Sequence, residues 1–167
     1  MKLVVDVHYE GEGATVAGIL FPSWSSDAVC RALTRTQPRV EPYEPGAFYK
    51  RELPCLLALL ERIDDPLDAV VVDGFVTLGD RGVAGLGMHL FQAMGGFVPV
   101  IGVAKRRYAG TPIACEVFRG GSRAPLFVTA AGIGHGEAKE LVQGMHGLHR
   151  IPTLLGKVDR LCRGIAV

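Results

Sequence analysis

The sequence predicts an α/β domain built on a mixed sheet. Three observations point there: two β-branched, apolar segments open the chain in succession, short and nearly continuous apolar runs follow, and helical patterns alternate with those runs to the end. The 167 residues and 17.9 kDa suit one domain spanning 1–167.

Lys2 to Tyr9 reads as a strand, Gly11 to Gly13 as a turn and Ala14 to Phe21 as a second strand, which makes a hairpin. The stretch from Asp27 to Thr36 fits two readings, a helix capped by Ser26 or Asp27 and a partly alternating strand. Gln37 to Gly46 holds three prolines and reads as an ordered loop. Ala47 to Arg62 reads as a helix with Leu56, Leu57, Leu59 and Leu60 inward, kinked or bounded early by Pro54. Asp68 to Asp73 is apolar throughout its middle, as in a strand covered on both faces. Gly74 to Gly82 reads as a loop, Val83 to Met94 as a helix and Val98 to Val103 as another buried strand. Ala114 to Phe118 and Pro125 to Thr129 read as strands around Gly120-Gly121, followed by a Gly-rich loop and by helices over Glu137 to His146 and Leu154 to Arg163.

Apolar residues make up 49% of the chain and charged ones 21%, with mean hydropathy +0.27, which excludes disorder. No run approaches the ~20 apolar residues of a membrane span. Asp6 interrupts any secretory apolar region, and the scattered Cys30, Cys55, Cys115 and Cys162 read as reduced thiols, so a cytoplasmic location is expected. The net charge of +1 hides an asymmetry: residues 1–100 carry 8 Lys/Arg against 13 Asp/Glu, and residues 101–167 carry 10 against 4. That fits metal-binding carboxylates beside a phosphate-binding surface, and equally a mixed surface without meaning.

Three acids stand out. Asp6 lies inside the first strand, Asp73 ends a buried one, and Glu52 follows Arg51 on the helix. A carboxylate in a sheet interior is costly unless it is paired or holds a metal. Brought to one end of the sheet, the three would suit Mg²⁺, with Mn²⁺ as an alternative. The plainer reading makes Asp73 a turn cap and Glu52 a solvated partner of Arg51.

The arrangement around these acids resembles the endonuclease V family, the deoxyinosine 3′ endonucleases. Four blocks carry the resemblance: Asp6-Val7-His8-Tyr9; Pro42-Tyr43-Glu44-Pro45-Gly46 with Phe48 and Arg51-Glu52-Leu53-Pro54; Val71-Val72-Asp73-Gly74 through Ile101-Gly102-Val103-Ala104-Lys105; and Pro125-Leu126-Phe127-Val128 through Arg150-Ile151-Pro152 and Asp159-Arg160-Leu161. The resemblance implies an RNase H-like fold and metal-dependent cleavage 3′ to inosine in DNA or RNA. It implies that Asp6, Glu52 and Asp73 bind metal and that Lys105 contacts the scissile phosphate. Pro42, Tyr43, Pro45 and Gly46 match the wedge that parts the strands, and Gly46 and Gly74 match positions where the backbone approaches the displaced base. Arg106 and Arg107 extend the basic surface toward backbone phosphates.

The chain also departs from the family. Both histidines expected after Asp73-Gly74 are missing, and Thr129 to Gly136 replaces a Ser-Pro-Gly-His-Arg segment. His135 takes the place of the lost imidazole if its loop folds back. Without it, a catalytically weakened or inactive nucleic-acid-binding homologue is the alternative. The remaining histidines carry less: His8 alternates away from Asp6, His89 reads as a packing residue, and His146 with His149 lacks the carboxylate a zinc site would add.

Overall fold

In the computed structural model, which describes residues 1–42, 44 and 47–167, the opening apolar segments pair as expected. Strand β1 (Lys2–Glu10) runs antiparallel to β2 (Gly13–Phe21) around Gly11, whose positive φ of 59° suits a residue without Cβ. The ambiguous stretch resolves as β3 (Arg31–Gln37), which completes a meander with β2. Pairing decides where local propensity does not, because β2 would otherwise leave a row of backbone groups unbonded.

Helix α1 (Tyr49–Leu60) follows, with Pro54 on its exposed side. The apolar runs become β4 (Ala69–Asp73) and, later, β7 (Val100–Ala104), each parallel to its neighbour: β1 pairs with β4, and β4 with β7. Between them the expected loop and helix need correction. Thr77–Leu78 (β5) and Val83–Ala84 (β6) form a small hairpin, and helix α2 spans only Leu86–Ala93. Gly85 enforces the break: its backbone is extended, its N–H donates to Val76 O at 2.8 Å, and a Cβ there would lie 2.6 Å from Phe75 O.

A 3₁₀ turn at Ile113–Cys115 shortens the next strand to β8 (Glu116–Val117). Strand β9 (Leu126–Ala131) runs antiparallel to both β7 and β8 and takes up residues expected in the Gly-rich loop. Helices α3 (His135–Gln143) and α4 (Thr153–Cys162) end the chain. The sheet order is β3-β2-β1-β4-β7-β9-β8. One face packs Val4, Val71, Ile101 and Val128 against α3 and α4 through Ala138, Val142, Leu154 and Val158. The other packs Leu3, Val5, Val70 and Val72 against α1 and α2 through Leu56, Leu59, Leu86 and Leu90. This three-layer mixed sheet is the α/β, RNase H-like fold. Among the described residues no helix is long and apolar enough to cross a membrane.

Gly102 sits where the sheet is tightest. A Cβ there would meet Gly74 O at 2.6 Å, Val76 N at 2.8 Å and Thr129 Oγ1 at 2.9 Å, and Val76 N–H donates to that same hydroxyl at 2.8 Å. Gly102→Ala therefore pushes backbone rather than a flexible side chain. It is expected to destabilise the protein by about 1–3 kcal/mol in urea unfolding.

Candidate active site

The parallel pairing of β1, β4 and β7 stops at one level, and β1 runs on along β2 to Glu10. Strands β1 and β4 stay in register to Val5↔Val72, and β4 and β7 to Asp73↔Val103. One residue beyond the first pair, Asp6 stands beside Asp73, and Lys105 follows the last residue of β7. Side chains alternate along strands, so these three share the parity of Val4, Val71 and Val103, which face the α3–α4 layer. Helix α4 answers with Asp159, and its Cys162 Sγ lies 3.9 Å from Asp6 Oδ2. Glu52 arrives from the opposite layer. It heads the buried stripe of α1 with Cys55, Leu56 and Leu59 and is 6% exposed. A narrow void lined by Asp6, Glu52 and Asp73, too tight to admit water, lies between them.

Among the described residues two cations serve this cluster, Lys105 at its centre and Arg163, which pairs with Asp159 at 3.3 Å. Lys105 Nζ donates to Asp73 Oδ2 at 2.5 Å and lies 3.9 Å from Asp159 Oδ1. Burial alone would lower the ammonium's pKa, but the hydrogen bond and charge of Asp73, with Asp6 and Asp159, outweigh it and raise the pKa. The opposite problem falls on the acids. Burial first, then the Asp73 carboxylate, push Asp6 up to about 7, although Lys105 and the Val7 N–H oppose the shift. Burial, then Asp6 and Asp73, hold Glu52 well above the ordinary carboxylate range. Asp159 goes the other way: the Arg163 hydrogen bond and Lys105 overcome its burial and lower it. Arg51 does not pair with Glu52 in solvent; its guanidinium lies over the Tyr9 ring, 4.1 Å from the centroid.

The donor set is all hard oxygen, which fits a divalent cation such as Mg²⁺ or Mn²⁺ held by Asp6, Glu52 and Asp73. The fit is not ready-made. Among the described residues no three His, Cys, Asp or Glu side chains are gathered closely enough to hold a metal, and Lys105 lies against Asp73.

Beside Asp73 and Lys105 opens a cavity whose walls include Phe48, Tyr49, Phe75, Leu78 and Tyr108, with Gly74 and Arg106 at its edge. Its water-accessible volume is about 480 Å³. The Phe75 and Tyr108 rings meet edge to face, 6.3 Å between centroids. Tyr49 stacks on His89 at 3.7 Å, so that histidine packs as expected.

A family model described as Endonuclease V matches residues 3–152. The chain belongs to the endonuclease V family. Among curated relatives, endonuclease V of Streptomyces coelicolor is 30% identical over 181 residues, covering 95% of this chain and 76% of its own length. That of Xanthomonas campestris pv. campestris strain B100 is 35% identical over 136 residues, covering 77% of this chain and 53% of its own length, so the chain spans about half of that relative. Among solved structures, endonuclease V of Streptomyces avermitilis is 27% identical with a TM-score of 0.76, covering 97% of this chain and 79% of that one. The endonuclease V of Ciona intestinalis, solved with a 24mer DNA containing an inosine followed by a ribo-adenosine, shares the fold at 18% identity. Its TM-score is 0.77, covering 98% of this chain and 84% of that one.

Within this endonuclease V frame, Asp6, Glu52, Asp73 and Lys105 come together, and Gly74 joins them at φ +152°. Arg106 is exposed at the cavity edge with no ion pair or side-chain hydrogen bond among the described residues. Arg107 is not free in the same way: its guanidinium donates to Thr111 O at 2.5 Å, pairs with Glu116 and lies over Phe127. It braces β8 rather than reaching outward. His135 does not join the acids. It starts α3, with its Nε2 2.9 Å from Val128 O on β9, a strand that β7 separates from Asp73. Pro42 is exposed and lines a second cavity with Arg39 and Arg51, whereas Tyr43, Pro45 and Gly46 lie outside the described residues.

Asp159 was given no role from sequence, yet it carried a signal. With Leu155 and Cys162 it shares one helical face, an acid on an otherwise apolar stripe. Glu52 shows the same pattern. The crowding of acids has a measurable cost: without metal at pH 8, Asp6→Asn is expected to raise stability by about 0.5–2 kcal/mol, read from thermal melts in EDTA, because it removes a like charge beside Asp73.

Proposed function

We propose that this protein is a metal-dependent endonuclease that hydrolyses a phosphodiester bond 3′ to a deaminated purine, inosine, in DNA or RNA. The observation that carries the reading is the meeting of Asp6 and Asp73 on adjacent parallel strands with Glu52 from α1 and the Lys105 ammonium, beside an aromatic-walled cavity roomy enough for a base. Family membership supports the same reading, as does the inosine-bearing DNA bound to the Ciona relative.

In this reading Asp6, Glu52 and Asp73 hold Mg²⁺, or Mn²⁺ in its place. Bound there, the cation would supply an activated water and neutralise charge on the scissile phosphate. Lys105 leaves Asp73 for a phosphate oxygen, a short swing for a four-carbon stem with rotatable donors. Arg106, exposed and unpaired among the described residues, takes a neighbouring backbone phosphate. Phe48, Phe75 and Tyr108 offer faces to a base drawn from its stack, and Gly74 lets the backbone approach it. Tyr43, with Pro42, Pro45 and Gly46, fills the gap the base leaves.

Two observations favour a second reading, a nucleic-acid-binding protein that does not cut. Lys105 already neutralises Asp73, and among the described residues no metal cluster is preassembled. Strand cleavage distinguishes the two. Single- and double-stranded DNA and RNA, each with one inosine, are incubated with Mg²⁺, Mn²⁺ or EDTA, with Asp73→Ala alongside. The nuclease reading expects metal-dependent cutting that falls roughly 10²–10³-fold in Asp73→Ala while strand binding persists. Salt-sensitive binding with no cutting selects the second reading. Tyr43→Ala is expected to lower the preference for inosine strands over unmodified ones by more than it lowers the cleavage rate itself. An equal loss on both strands would contradict the wedge.

A further inference from the structure

A buried cation with no ion pair among the described residues organises the segment that joins α3 to α4. Arg119 is 5% exposed and donates to the carbonyls of Gln143 at 3.4 Å, Gly147 at 3.2 Å, His149 at 3.2 Å and Arg150 at 3.3 Å, and to that of Met145. A guanidinium presents five N–H donors in a rigid fork, so converging carbonyls stand in for a carboxylate. The turn after Arg119 presses on the same segment: a Cβ on Gly120 would lie 2.5 Å from Leu148 O and 2.6 Å from His149 Cα. Residues 143–150 are thereby fixed against the β8–β9 connection.

That segment touches the site through one side chain. Arg150 donates to Pro125 O at 2.8 Å and to Lys105 O, and its Nε is buried with no hydrogen-bond partner among the described residues. The two carbonyls belong to the residues that leave β7 and enter β9. Three residues beyond Arg150 begins α4, which carries Asp159. One short segment therefore sets both the backbone beneath Lys105 and the helix whose acid faces the Lys105 ammonium.

We propose that Arg150 is a positioning residue for Lys105, acting from a segment that Arg119 anchors. The inference rests on the reading above, in which Lys105 contacts the scissile phosphate. A lysine stem is long and flexible, so the backbone beneath it limits where its ammonium reaches. A displacement of ~1 Å at a reacting group can lower a rate by ~10²-fold.

A double-mutant cycle reads this directly, because residues that act through one another are not additive. Single-turnover cleavage of an inosine strand is measured for the wild type, Arg150→Met, Lys105→Met and the double variant. Amide hydrogen exchange is followed in parallel without nucleic acid. Arg150→Met is expected to cut ~10–10²-fold more slowly, and the double variant no more slowly than Lys105→Met. Exchange should quicken at residues 104–108 and 126–127 while β1 and β4 keep their protection. Arg150→Lys, which keeps the charge, should recover part of the rate and of the protection. Losses that multiply in the double variant overturn the proposal, since Arg150 then acts on substrate or fold independently. Exchange that spreads through the sheet, or does not change, overturns it too. A wild type that fails to cut sinks the nuclease reading instead, and the exchange pattern alone then decides the role of Arg150.

Discussion

The ion pair between Lys105 and Asp73 is the interaction around which this molecule is organised. Asp6, Glu52, Asp73 and Asp159 bring like charge into a half-buried crevice, where burial raises the cost of ionisation. The Lys105 ammonium offsets it at Asp73, and Arg163 pairs with Asp159. The parallel register of β1, β4 and β7 brings these groups to one level, and the close approach permitted by Gly102 keeps the Gly74–Val76 segment against the sheet beside them. A fold that carried only structural duties would have little use for such a concentration of charge. Stability given up at one place and preserved elsewhere by a largely apolar core is the pattern of a functional site.

Much of the fold was legible because its strongest signals are long or repeated. Nine-residue strands at the start and wholly apolar runs at 69–72 and Val100–Ala104 leave few alternatives. What stayed hidden was short. Neither Thr77–Leu78 nor Val83–Ala84 is long enough to carry a period, and their pairing depends on Gly85 backing onto Phe75. Strand β3 is set by its neighbour rather than by its own residues.

The candidate site was legible where chemistry and burial disagree. Asp6 inside an apolar strand and Asp73 at the end of one announce themselves. Glu52 and Asp159 do so only once the helical faces are drawn, when each falls on a buried stripe. The basic residues were harder to read, because charge says nothing about what already satisfies it. Arg106 and Arg107 are adjacent in sequence, yet one projects at the cavity edge and the other is spent on Glu116 and Thr111. His135 shows the same limit: its ring is engaged with Val128 O on β9.

The site draws on residues 6, 52, 73, 105 and 159, one from nearly every part of the chain. Its parallel strands can pair only after long intervening segments have closed, which makes for a high contact order and slow folding. No fragment short of α4 holds the complete set. A growing chain on the ribosome therefore gathers its charges last, after the apolar sheet that must bear their repulsion has begun to form. The complete set of charges thus arrives with the finished fold, and a partly made copy carries only a subset of the acids.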